Sequence, residues 1–201
     1  MKKTILILAT ALIGFGGISQ DYFHKLGLSI NLYGEREIST SGETGSSFTG
    51  LMPMVTYQAG LNFEIGDILY FSPTAYPALG SGILSVNGAY GGDLFAFNLP
   101  IVAELFIGED REYFGGFIGA GFDYSYYSSI GSIMGPQFSG GLNFNFEDTF
   151  LENYFGESAV TLRFSYTIPI NKPDQTDLGT NVDRREFMPN YHIQLLYDLG
   201  Y

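Results

Sequence analysis

Residues 55–67, VTYQAGLNFEIGD, alternate without a break. Val55, Tyr57, Ala59, Leu61, Phe63 and Ile65 are apolar or aromatic, and Thr56, Gln58, Gly60, Asn62 and Glu64 between them are small or polar. Successive side chains of a strand point to opposite faces, so a sustained period of two means an extended strand with one apolar and one polar wall. The run is also longer than the usual strand of about five or six residues.

The same period recurs along the chain. It covers residues 23–33, 94–107, 113–127, 136–147, 159–170 and 191–201, each with an aliphatic or aromatic face against Gly, Ser, Thr, Asn or Gln. A weaker segment, 68–77, is broken by Pro73 and Pro77, and its facing is ambiguous. This makes about eight strands, the even number that bacterial single-chain membrane barrels have. Short connectors at Gly66–Asp67 and 108–112 contrast with long Gly/Ser-rich or acidic stretches at 34–50, 78–92 and 171–187, expected to be loops. The predicted fold is all-β: a closed antiparallel up-and-down transmembrane β-barrel over residues 20–201.

The first residues, MKKTILILATALIGFGGIS, have a positive start at Lys2 and Lys3, an apolar run to Ile18, and small residues at Gly17 and Ser19. This is the layout of a cleaved secretory signal peptide, expected to span residues 1–19. The formal net charge is −12, and removing Lys2 and Lys3 makes it more negative by two. A basic surface for nucleic acid is therefore missing. The chain has no cysteine, so an exported protein folds here without disulfides or thiolate metal sites.

Alternation alone does not say which face meets water. A soluble lipid-binding barrel turns its apolar face inward, and a membrane barrel turns it outward. Charged residues are 15% of the chain, whereas a water-exposed surface carries roughly 25–35%. The polar faces are mostly small and neutral, which suits a narrow packed interior. The apolar faces carry Tyr and Phe near strand ends, as an interfacial girdle does. Lipid requires every backbone polar group to be paired, so the sheet must close, with the last strand against the first. The chain ends LLYDLGY, with Leu195, Tyr197, Leu199 and Tyr201 on one face. That ending is similar to the C-terminal signal, Tyr197, Leu199 and Tyr201 here, that barrel-assembly machinery reads.

The segments NLPIVAELFIG (98–108), YFGGFIGAGFDYSYY (113–127), GPQFSGGLNFNF (135–146) and YHIQLLYDLGY (191–201) together resemble the porin-like outer-membrane β-barrel family, the PorT-type or OmpX-like small barrels. The resemblance covers nearly all of the chain after residue 19. It departs at Glu104, where the family often has a Lys, and at Tyr201, where the usual last residue is Phe. It implies an integral protein in the outer membrane of a Gram-negative bacterium, surrounded by outer-membrane lipids.

Chemistry has few footholds. His24 and His192, near the starts of the first and last strands, fall at opposite membrane faces, so they cannot share a catalytic or metal site. Neither has a serine beside it. Asp174, Asp177 and Asp183 do not have the spacing of a calcium loop. Residues 114–122, FGGFIGAGF, are glycine-dense but lie within a strand, where small residues make room for neighbours. No catalytic, metal or cofactor site is expected. The informative residues are the charges on polar faces: Lys25, Glu64, Glu104, Glu147, Arg163 and Asp198, an expected interior network in which low dielectric forces cations and carboxylates into pairs. Tyr33, Phe106, Phe117, Tyr127 and Gln194 are expected to fill the bore. The expected function is a non-enzymatic structural or interaction element, meeting a protein or surface ligand through 34–50, 78–92 and 171–187. The alternatives are a narrow porin or transporter for small solutes and, second, a soluble periplasmic lipid-binding barrel.

Overall fold

The computed structural model describes residues 20–39, 41, 44–66, 68–108, 114–128, 131–146, 159–173 and 182–199. The expected signal segment, Glu147 and Tyr201 lie outside them. Ten strands form one antiparallel sheet: β1 (Gln20–Ser39), β2 (Thr44–Gly66), β3 (Leu69–Ala75), β4 (Ala78–Val86), β5 (Ala89–Ile107), β6 (Phe114–Tyr127), β7 (Gly131–Asn145), β8 (Ala159–Thr167), β9 (Val182–Phe187) and β10 (Asn190–Asp198). β1 pairs with β2 on one side and with β10 and β9 on the other, so the sheet closes.

Ten strands occupy eight positions in the ring. β3 and β4 hold a single register against β2 (Phe63 opposite Phe71, Met54 opposite Gly80) and against β5. They are one strand passing through Tyr76–Pro77: Tyr57 N–H donates to Pro77 O at 3.0 Å and Tyr76 N–H to Pro100 O at 3.2 Å. The weak segment 68–77 thus belongs to the wall, with Ser72, Thr74 and Tyr76 inward. β9 and β10 likewise share one position, but not one register. Leu32 faces Tyr191 and Glu35 faces Phe187, three steps on β1 against four on the partner. The extra residue falls at Met188–Pro189, where proline has no N–H for the ladder, and this bulge reverses which side chains point inward.

The outer wall is apolar. Leu28, Ile101 and Ile118 are 68%, 61% and 69% exposed, a pattern that only a lipid environment makes stable over a whole surface. Tyr22, His24 and Tyr57 cluster toward the end carrying both described termini. The His24 ring stacks on Tyr22 at 5.6 Å, and Tyr57 Oη lies 3.4 Å from its Nδ1. The inner wall holds Ser29, Asn31, Thr56, Gln58, Asn98, Gln137, Thr161 and Ser165, all buried.

The stretches expected to be loops are corrected by the strand bounds. Most of 34–50 belongs to β1 and β2, most of 78–92 to β4 and β5, and 182–187 is β9. Crossing a membrane takes about 9–11 residues per strand, yet β1, β2 and β5 run for 20, 23 and 19 residues. The surplus projects beyond the lipid at the end away from the termini. There no lipid demands an apolar outer face, the period of two fades from the sequence, and the backbone ladder continues regardless.

Candidate functional site

The bore is built from inward positions on every strand, in three levels above the end that carries the termini. At the lowest, Lys25 Nζ donates to Thr161 Oγ1 at 2.8 Å and Asn143 Oδ1 at 3.1 Å, and lies 3.8 Å from Asp198. Glu64, expected inside, is exposed near the end of β2 and stands apart from the buried charges. The last turns of that strand run out toward the mouth, where water replaces the packed interior.

At mid-height, Arg163 of β8 crosses the bore to Glu104 of β5. Both terminal guanidinium nitrogens donate to the carboxylate, Nη2 to Oε2 at 3.1 Å and Nη1 to Oε1. The guanidinium is also flanked by two rings, with Tyr76 at 4.4 Å and Phe117 at 4.6 Å from its carbon to the centroids. Arg163 is 1% exposed and Glu104 4%. Bidentate geometry and aromatic faces are what allow a buried guanidinium to be held at all. The small residues of β6 make this fit. A Cβ on Gly119 would lie 2.9 Å from Glu104 Cγ and 2.7 Å from Ser139 Oγ.

Above the ion pair runs a continuous hydrogen-bonded web. Tyr76 Oη donates to Gln137 Oε1, whose amide nitrogen donates to Thr167 Oγ1 at 3.3 Å, and Thr167 donates to Asp123 Oδ2 at 3.0 Å. Ser125 donates to the same oxygen at 2.8 Å and accepts from Asn98 Nδ2 at 2.6 Å. Tyr127 Oη accepts from Asn31 at 3.0 Å and Asn190 at 2.7 Å. The Tyr127 ring stacks on Tyr33 at 4.4 Å, and with Met52, Met54, Leu94 and Ile133 these rings form a buried apolar cluster.

Of the residues singled out from sequence, Lys25 meets Asp198, and Arg163 meets Glu104. Tyr33, Phe117, Tyr127 and Gln194 are buried inside and Phe106 is half-buried. Tyr197 and Leu199 face outward, 40% and 44% exposed, with Leu199 N–H bonded to His24 O at 3.2 Å. The expected interior network did not include Asp123, His192 or the asparagines Asn31, Asn98 and Asn190. His192 Nε2 lies 3.8 Å from Asp123 Oδ2, both wholly buried. Asp123, Asn31 and Asn98 occupy polar positions of their periodic runs, so the signal was present. Asn190 was hidden by the bulge at Pro189. Among the described residues, no three His, Asp or Glu side chains gather as a metal-ligand group.

An apolar outer wall, a closed ring of eight strand positions and a polar packed bore define a small outer-membrane β-barrel, transmembrane by its strands. The fold is similar to that of the outer membrane protein OprG from Pseudomonas aeruginosa, at 12% identity and TM-score 0.58, over 93% of this chain and 99% of that one. Neisserial surface protein A superposes at TM-score 0.41 (12% identity, 88% and 97% of the two chains). Ail, the attachment invasion locus protein of Yersinia pestis, superposes at 0.36 (13%, 88% and 99%). The first of these carries the likeness of fold. No protein-family model and no curated protein sequence matches the chain.

Proposed function

We propose that this protein is a closed, non-enzymatic barrel that serves the outer membrane as a structural and interaction element, meeting its partners at the strand ends beyond the lipid. The observation that carries this reading is the Arg163–Glu104 pair spanning the bore between Tyr76 and Phe117. Eight strands leave an interior just wide enough for side chains. Here a bidentate ion pair, two rings and a hydrogen-bonded web occupy it, a layout that disfavours the narrow-porin alternative. The lipid-facing wall disfavours a soluble periplasmic barrel.

The partner surface in this reading is the projecting part of β1, β2, β4, β5 and β9. Its β1–β9 edge is laced by charge: Arg36 with Glu186 at 3.0 Å, Arg184 with Glu186 at 2.8 Å, and Arg185 with Glu37 at 3.2 Å and Glu35 at 3.6 Å. Such a charged, ion-paired platform suits a protein or surface ligand. Export through a signal cleaved near Gln20, and insertion by the assembly machinery reading Tyr197, Leu199 and Tyr201, belong to the same proposal.

The test is conductance of the purified, refolded protein in planar bilayers. The closed reading expects no steady current from the wild type. Regular ohmic single-channel steps would overturn it and favour the porin.

A further inference from the structure

We propose that the upper bore holds a binding site for a small monovalent cation of sodium's class, formed by Asn31, Asn98, Asp123 and Asn190 with His192 alongside. Two hydroxyls gather these side chains. Tyr127 Oη takes the amide nitrogens of Asn31 and Asn190, and Ser125 Oγ takes that of Asn98 while donating to Asp123 Oδ2. Each amide thus uses its donor side on a hydroxyl. The oxygens Asn31 Oδ1, Asn98 Oδ1, Asn190 Oδ1 and Asp123 Oδ1 are buried without a hydrogen-bond partner, on residues that are each 0% exposed. Interiors rarely leave buried polar atoms unmet, and these four acceptors sit on side chains joined through Tyr127, Ser125 and the 3.5 Å contact of Asn190 Nδ2 with Ser125 Oγ.

The chemistry of the set selects the ligand. A water has only two hydrogens to donate, so several acceptors are met better by a cation than by one solvent molecule. One carboxylate and three neutral amide oxygens carry a single negative charge, which a monovalent ion balances. Calcium sites take six to eight oxygens and usually several carboxylates. Zinc favours thiolate and imidazole, and the cluster has one imidazole and no sulfur. Asp123 also needs a counter-charge. Arg163 is engaged by Glu104, and among the described residues the base within ion-pair reach of Asp123 is His192, at 3.8 Å.

The experiment is urea unfolding of the full refolded barrel in neutral detergent, near pH 8 so that histidine is neutral. Sodium chloride is compared with N-methyl-D-glucamine chloride at an equal ionic strength of about 0.15 M, which holds general screening constant. The expected result is a midpoint higher in sodium by roughly 0.5–1 M urea, growing with the logarithm of sodium concentration. Asp123→Asn, which keeps the shape, should unfold at one midpoint in both salts. Equal wild-type midpoints, or a sodium increment that survives in Asp123→Asn, would overturn the site. If Asp123→Asn does not fold, thallium-205 NMR with the wild-type barrel decides the matter. A bound resonance displaced by sodium supports the site, and its absence refutes it. His192→Gln separates the rival, in which a protonated histidine balances Asp123: that variant would lose stability equally in both salts while the wild type ignored sodium.

Discussion

Replacing Arg163 by alanine removes the guanidinium that neutralises Glu104 in the middle of the bore. The carboxylate keeps Ser139, which donates at 3.3 Å, and loses both guanidinium bonds. With Glu104 only 4% exposed, water cannot replace them without entering the packed interior. Breaking a buried pair from one side costs about 3–5 kcal/mol, because the remaining charge is stranded. Losing the ring contacts adds to this, at roughly 0.5–2 kcal/mol per cation–π face, and the terms do not sum simply. Taking about 4 kcal/mol and a urea slope of roughly 2 kcal/mol per molar, the unfolding midpoint should fall by about 2 M. The assay is tryptophan-free by necessity, since the chain has no Trp, so far-ultraviolet circular dichroism and heat-modifiable gel migration report the fold. The decisive comparison is the double variant Arg163→Met with Glu104→Leu. It leaves no stranded charge and should recover most of the loss, because apolar replacements of a buried pair are often neutral or better. A single variant with an unchanged midpoint would refute the reasoning. So would a double variant that loses as much as the two single changes together, since it would show no coupling between the partners.

Gly119→Val should lower the unfolding free energy by about 1–3 kcal/mol, since overpacking displaces the Glu104 and Ser139 side chains that even a Cβ would crowd; wild-type stability would count against the close fit. Glu186 is held below the usual carboxylate range first by the hydrogen bond from Arg184 and then by that from Arg36. Its contribution to the β1–β9 edge is therefore present at neutral pH and lost as pH falls from the ordinary value through the lowered one. Trypsin should cut after Arg184 and Arg185 faster in Glu186→Gln than in the wild type at neutral pH. Hydrogen exchange of β9 amides, corrected for intrinsic rates, should show the two converging in acid. N-terminal sequencing of the membrane-inserted protein should begin within a few residues of Gln20; a sequence starting at Met1 would contradict cleavage.

Legibility followed the lipid. Where a strand has lipid on one side and packed side chains on the other, as at Leu26–Leu32 or Val55–Leu61, the two environments differ so strongly that the residue pattern repeats every second position. Beyond the lipid that contrast disappears. Residues 34–39 and 44–50 therefore read as a polar loop, although their backbones pair from Gly34–Thr49 to Ile38–Thr44. The inward charges were recognisable by the same parity, but their pairings were not, and Glu64 has the parity of the interior without its burial.

The sequence by itself determined the period of two, the small uncharged interior and the apolar exterior, and with them a sheet that must close in lipid, because an unpaired edge there is too costly. Only the tertiary structure decided who meets whom. Arg163 and Glu104 are 59 positions apart, and Asn31 and Tyr127 are 96 apart. They come together because ring closure and strand stagger bring their levels of the bore into line. The one-residue bulge at Pro189 then turns Asn190 and His192 inward on a strand whose neighbouring segment points Phe187 the same way. A periodic pattern specifies a face. The register between strands, which sets height and partner, is a property of the closed sheet.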